Sequence, residues 1–220
     1  MSDAILEARN ISYSYGMVSV LKNLNVRVDS PEICGIFGKS GSGKSTLIAI
    51  LAGLMKPLSG EVFLKGIKVY ESLRSVLSIR KRTGIVFQLR NLLKELTVEE
   101  NLRVASMAKG KELNSGEISD LLSAMEISRL VHRYPSELSV GEQQRVAIAR
   151  ALVGSPVIIF ADEPTGSVDE ANKKGILALF QKVRERKVPI VLTSHDSETL
   201  KICDRVYELR NGILKEVLIT

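Results

Sequence analysis

The sequence predicts an α/β protein: a core of alternating strands and helices, an antiparallel β-subdomain at its N-terminal end, and an α-helical subdomain inserted within it. Three observations carry the prediction. Apolar runs of strand length, Ile33 to Phe37, Val157 to Phe160 and Ile190 to Thr193, alternate with helical stretches. Ile5 to Tyr15 and Val18 to Val28 read as two short, loosely alternating strands with only Gly16-Met17 between them. From about Thr97 to Val153 the pattern is helical alone, and a helix-only stretch inside strand–helix alternation implies an insertion.

The elements follow in order. The buried-strand run Ile33 to Phe37 leads into a Gly-rich loop and a helix from about Lys44 to Leu54, broken by Pro57 and Gly60. A strand pair near Val62 to Tyr70 comes next. Thr97-Val98-Glu99-Glu100 has capping-box spacing ahead of a periodic apolar stretch. Glu117 to Met125 reads as a second helix, and Ser139-Val140-Gly141-Glu142, with the same cap spacing, opens a third that runs to Val153. Glu170 to Arg186 is a helix between the last two core strands, and Arg205 to Ile219 is a hairpin turning at Asn211-Gly212. These boundaries give a single domain over 1–220, with 1–88 and 154–220 as core and β-subdomain and about 89–153 as helical subdomain.

Composition restricts the function classes. The chain has 220 residues, 45% hydrophobic and 25% charged, as ordinary globular proteins do. The two cysteines make no metal-ligand spacing, and Cys34 lies in an apolar run, as a buried inert thiol would. The N-terminus, with an early Asp and no apolar core, does not read as a signal peptide. No apolar run approaches the ~18 residues needed to span a bilayer, so the chain is expected to be soluble or held at a membrane by something else. Net charge is +6, but the basic runs are short and aromatics are only 5%. No base-stacking surface is visible, and no nucleic-acid partner is expected.

Gly38-Lys39-Ser40-Gly41-Ser42-Gly43-Lys44-Ser45 matches the phosphate-binding loop G-x-x-x-x-G-K-[ST], after a buried strand and before a helix. Its glycines let backbone N–H groups converge on phosphate oxygens, and the helix N-terminus adds a field that favours anions. Lys44 is expected on the β- and γ-phosphates, and Ser45, ahead of Thr46, on Mg²⁺. The fold is therefore expected to be a P-loop NTPase core. Asp162 and Glu163 follow the buried run Val157 to Phe160 at the end of the strand where such folds bind ligands. Asp162 suits Mg²⁺, directly or through water, and Glu163 suits the general base facing the attacking water. The plainer alternative is that the two acids cap the next helix.

These residues resemble, over nearly the whole chain, the ATP-binding-cassette (ABC) ATPases. Tyr15 resembles the aromatic that stacks on adenine. Gln88 resembles the Q-loop glutamine, which contacts metal and attacking water. Leu138-Ser139-Val140-Gly141-Glu142 resembles the signature motif, Ser167-Val168-Asp169 the D-loop, and His195 the H-switch. The resemblance implies ATP and Mg²⁺ as cofactors and a second ABC ATPase subunit whose ATP is gripped by Ser139, Gly141 and Glu142. It also implies a separate transmembrane permease subunit and a cytoplasmic location, peripheral on the inner face of the membrane.

Val140 stands where glycine is usual. Were αL geometry required there, a β-branched residue would weaken closure. The motifs around Asp162 and Gln144 resemble the subgroup of lipoprotein-release, macrolide-export and cell-division ATPases; Ser167-Val168 departs from it. The expected function is the ATP-hydrolysing motor of a membrane transporter, with the permease's coupling surface around Gln88 to Leu113. The alternatives are a soluble ABC ATPase of DNA repair or translation and a low-turnover nucleotide switch. Only about 120 residues separate Lys44 from Asp162, with no sustained heptads, and the chain holds one cassette.

Overall fold

Strands β1 (Leu6–Tyr15) and β2 (Val18–Val28) pair as a hairpin whose turn places Gly16 at φ +57°. The computed structural model describes residues 4–218. Among these, β4 (Ser59–Leu64) and β5 (Ile67–Lys68) complete a small antiparallel sheet of order β2-β1-β4-β5. The larger sheet has the order β10-β9-β3-β8-β7-β6. Its members are β3 (Ile33–Phe37), β6 (Thr83–Val86), β7 (Ile158–Ala161), β8 (Ile190–Ser194), β9 (Arg205–Arg210) and β10 (Ile213–Val217). All pairings are parallel except β9 with β10.

Period-2 alternation divides these strands between two cores. Ile36, Phe160, Val191 and Leu209 point into a cluster shared with the small sheet and with helix α1 (Lys44–Leu51). Ile33, Ile159, Leu192 and Val206 point into a second cluster with α3 (Val98–Ala108), α4 (Ser115–Ala124), α5 (Val140–Leu152) and α6 (Glu170–Glu185). Burial on both faces is why the strands read as continuous apolar runs. Phe160 is fully buried, and truncating such a side chain to alanine costs about 3–5 kcal/mol.

The structure shifts several predicted boundaries. Helix α1 stops at Leu51, short of Leu54, because Gly53 takes φ +74°. Leu54 N–H then donates to Ala49 O at 2.8 Å, which closes the helix in a Schellman turn. Helix α4 begins at Ser115 under an Asn114 capping box with Glu117, ahead of the expected start. Among the described residues, three α-helices or strands have no counterpart in the sequence reading: α2 (Leu73–Arg82), β6 and α7 (Ser197–Leu200). The basic run Arg80-Lys81-Arg82 forms the last turn of α2, where cations favour the helix dipole. The terminal hairpin turns at Asn211 and Gly212, both at positive φ; Ile219 lies outside the described residues. Cys34 and Cys203 are buried and free, and burial pushes both thiols up, Cys203 to about 12. Among the described residues, no helix is long and apolar enough to cross a membrane.

Candidate functional site

Strand order brings the site together. β8 lies between β3 and β7, and β6 flanks β7, so the loops leaving four parallel strands meet at one sheet end. β3 delivers Gly38 to Ser45, β7 delivers Asp162 and Glu163, and β8 delivers Ser194 and His195. Gln88 follows β6 by two residues. Gly38 N–H donates to Ser194 O at 3.3 Å, tying the first loop to the third.

The loop before α1 wraps tightly. Gly41 has φ +76°, and Gly43, at the helix N-cap, has φ +101°, which only glycine adopts without strain. Lys44 is buried, and its Nζ donates to Gly38 O at 2.8 Å and Lys39 O at 3.1 Å. The same ammonium lies 3.1 Å from Glu163 Oε1. Lys39, Ser40 and Ser45 are exposed, and Thr46 is buried. Ser42 Oγ is buried without a hydrogen-bond partner, so it is available to a ligand held in the loop. Tyr15 is half-exposed, stands edge-on to Tyr13 at 5.1 Å, and brings its hydroxyl within 3.3 Å of Thr46 Oγ1. Beside the loop, Val18, Val20, Phe37 and the Leu209–Gly212 turn line a cleft of about 890 Å³ with Gly38 to Ser42.

The carboxylates after β7 do not cap a helix. Glu163 Oε2 lies 3.0 Å from His195 Nδ1, so its two oxygens bridge His195 and Lys44. Glu163 also has φ +43°, a sparsely populated region for a side-chain-bearing residue. Asp162 Oδ1 accepts from Thr193 Oγ1 at 2.7 Å, and Glu163 N–H donates to the same hydroxyl at 2.9 Å. Thr193, read in the sequence only as the end of the strand run Ile190 to Thr193, is the residue that reading missed. Beyond them, Lys173 of α6 is buried and pairs with Asp196 and, at 3.5 Å, with Glu170. The Gln88 side chain is exposed, and no hydrogen bond joins it to these groups.

The signature-like residues form a separate surface. Ser139 caps α5: its Oγ and N–H donate to Glu142 Oε2 at 2.9 and 3.0 Å, and Glu142 N–H returns a bond to the hydroxyl at 3.3 Å. The Ser139 N–H holds the Glu142 carboxyl below its usual range, and Arg129 pairs with it at 2.6 Å. The serine hydroxyl is thus engaged in the box, as the cap spacing predicts. Val140 does not meet the αL condition. It is the first helical residue, has no positive φ and points outward, 43% exposed, so no αL geometry is demanded of it. Gly141 is buried against the start of α6, where a Cβ would fall 2.5 Å from Asn172 Oδ1. Asp169 caps that helix by accepting from Asn172 N–H at 2.9 Å, which holds its carboxyl low.

A phosphate loop on a parallel sheet, with a buried lysine and two carboxylates at the neighbouring strand ends, defines a P-loop nucleoside triphosphatase. The family model described as ABC transporter matches residues 21–166. Across 215 residues the chain is 40% identical to the lipoprotein-releasing system ATP-binding protein LolD of Porphyromonas gingivalis, covering 96% of this chain and 98% of that protein. The LolD of Aquifex aeolicus is 41% identical over 212 residues, covering 94% and 95%. The fold superposes on the dimeric structure of MJ0796, a bacterial ABC transporter cassette, with TM-score 0.87 and 33% identity, covering 98% of this chain and all of that one. A second dimeric MJ0796 structure, in a post-hydrolysis state bound to ADP and Pi, superposes with TM-score 0.86 at 33% identity, covering 98% of this chain and 100% of that one. The chain belongs to the ABC transporter family. It is an ATP-binding ATPase subunit of a membrane transporter.

Proposed function

We propose that the β3, β7 and β8 loops hydrolyse MgATP at an interface completed by the second subunit, with Glu163 as general base. The observation that carries this reading is the Glu163 carboxylate set between Lys44 and His195. Lys44 leaves the Gly38 and Lys39 carbonyls for the β- and γ-phosphates of arriving ATP, and that move frees Glu163 Oε1 to accept a proton from water. His195 keeps hold of Oε2 and orients the carboxylate. Tyr15 offers its ring to the adenine, and Gly38 to Thr46 cradle the phosphates.

The donor set suits Mg²⁺. Asp162 supplies a fixed carboxylate, Ser45 an exposed hydroxyl at the start of α1, and Gln88 an amide from the adjoining strand end. Among the described residues no cluster of three or more His, Cys, Asp or Glu could hold a metal alone, in keeping with an ion shared with phosphate oxygens. Bound there, Mg²⁺ supplies charge neutralisation at the β- and γ-phosphates. Across the interface, Ser139, Gly141 and Glu142 face the partner's nucleotide, and Asp169 lies beside them at the start of α6.

The transporter reading sharpens to lipid-anchored protein release on the strength of the LolD relatives, with this chain on the cytoplasmic face beneath a separate permease. Residues 1–88 and 154–220 act as core, and about 89–153 as the helical subdomain that meets the permease.

Glu163→Gln tests the base: in the complex with the permease, ATPase turnover should fall by ~10²-fold or more while ATP binding persists. Unchanged turnover would sink the assignment. Affinity purification from membranes tests the transport reading, which predicts a co-eluting permease.

A further inference from the structure

Thr193 is fully buried at the end of β8, and its hydroxyl is committed in two directions. It donates to Asp162 Oδ1 at 2.7 Å and accepts from Glu163 N–H at 2.9 Å. We propose that Thr193 is a positioning residue that fixes the metal-side carboxylate of Asp162 and the base carboxylate of Glu163 relative to one another, so that the two are presented as one unit. The proposal rests on the roles assigned above to Asp162 and Glu163.

A hydroxyl has one proton, and giving it to Asp162 leaves a lone pair for the Glu163 N–H. Each bond therefore fixes the direction of the other. Its side chain is fully buried, so the two bonds are made away from bulk solvent. Glu163 stands at φ +43°, a conformation that persists only where its surroundings over-determine it. Its side chain is held by Lys44 and His195, and its backbone by Thr193. Because His195 follows the last residue of β8, one strand end orients the base from both sides. Second-contact hydrogen bonds of this kind set ligand geometry, and their loss commonly costs tenfold or more in metal affinity or activity.

The test compares Thr193→Val, which keeps the shape and removes the hydroxyl, with Thr193→Ser, which keeps the hydroxyl. In the complex with the permease, Thr193→Val should lower kcat about tenfold, a larger change than the accompanying rise in KM for ATP. Calorimetric ATP binding with Mg²⁺ and with EDTA supplies a readout independent of turnover. The gain in affinity due to Mg²⁺ should shrink about threefold or more in Thr193→Val. Thr193→Ser should recover both. Wild-type kcat and Mg²⁺ gain in Thr193→Val, or equal losses in Thr193→Ser, would overturn the proposal; the second result would assign the effect to packing. If Thr193→Val does not fold, Thr193→Ala is judged by the same criteria. Glu163→Gln run alongside separates the two levels. Its failure to lose turnover removes the base assignment, whereas an inactive Glu163→Gln beside a normal Thr193→Val removes only the role of Thr193.

Discussion

At the scale of single residues, charge balance distinguishes the two halves of the proposed composite site. On the P-loop side the Lys44 cation faces Glu163, and both are largely shielded from solvent. On the signature side Glu142 places a carboxylate at the start of α5, where the helix dipole alone would favour a phosphate. Arg129 offsets that charge at 2.6 Å, although its own side chain is 79% exposed. An exposed pair of this kind is worth about 0.2–1 kcal/mol, so the expected effects are severalfold at most. Arg129→Ala should weaken ATP-dependent dimerisation a fewfold, and the effect should vanish in a Glu142→Gln background. Sedimentation of all four combinations checks this, and additive effects would show that Arg129 acts independently of Glu142. Gly38 to Ser45 was legible because its chemistry is local to eight consecutive positions. Thr193 was not, because its partners lie about thirty residues away and meet it only through the β7–β8 pairing.

At the scale of elements, legibility followed burial and caps. The capping boxes at Thr97 and Ser139 announced α3 and α5 in the sequence, and both form as read. Helix α2 buries only Ile79, so it left no apolar stripe to detect; β6 is four residues long and contains Thr83 and Gly84. The caps also predict how the helical region responds to acid. Backbone N–H groups hold Glu100, Glu137 and Glu142 below the usual value of 4.5. With the folded value lowered, their stabilisation is present above about pH 4.5 and is lost as pH falls through the folded values. Amide exchange at the starts of α3 and α5 should therefore rise below that pH before exchange in β3 and β8 does. The α5–α6 contact gives a second prediction. Gly141→Ala would drive a methyl into Asn172, whose Nδ2 is itself held by Asp169 at 2.7 Å. The expected cost is about 1–3 kcal/mol, read as a lower melting temperature, with Asn172→Ala restoring part of it.

At the scale of the molecule, the sheet order was not legible, since β3-β8-β7-β6 arises from crossovers that the alternation of strands and helices leaves unspecified. The alternation did give the class of fold, because strands buried on both faces keep near-continuous apolar runs. The surface expected to meet the permease is more mixed than its sequence suggested. Leu102 is fully buried and Arg90 is half-buried with an unpaired Nε, while Leu89, Asn91, Leu93 and Lys94 are exposed. Charge reversal therefore belongs at Lys94. Lys94→Glu should reduce co-purification with the permease and leave ATP affinity of the isolated subunit unchanged; equal recovery would move the docking surface elsewhere.

Helix α5 spans thirteen residues, a length of about 20 Å. Its first turn carries Gly141 and Glu142, proposed above to meet the second cassette. Near its other end, Arg150 donates to the carbonyls of Asn91 at 2.6 Å and Arg90 at 2.7 Å, in the loop that follows Gln88. The same helix is thus clamped at one end by a capping box and at the other by a two-pronged guanidinium, with neither glycine nor proline between Glu142 and Leu152 to act as a joint. Under the function proposed above it would work as a pushrod, with closure at Ser139 carried along the helix to the Arg90 and Asn91 carbonyls.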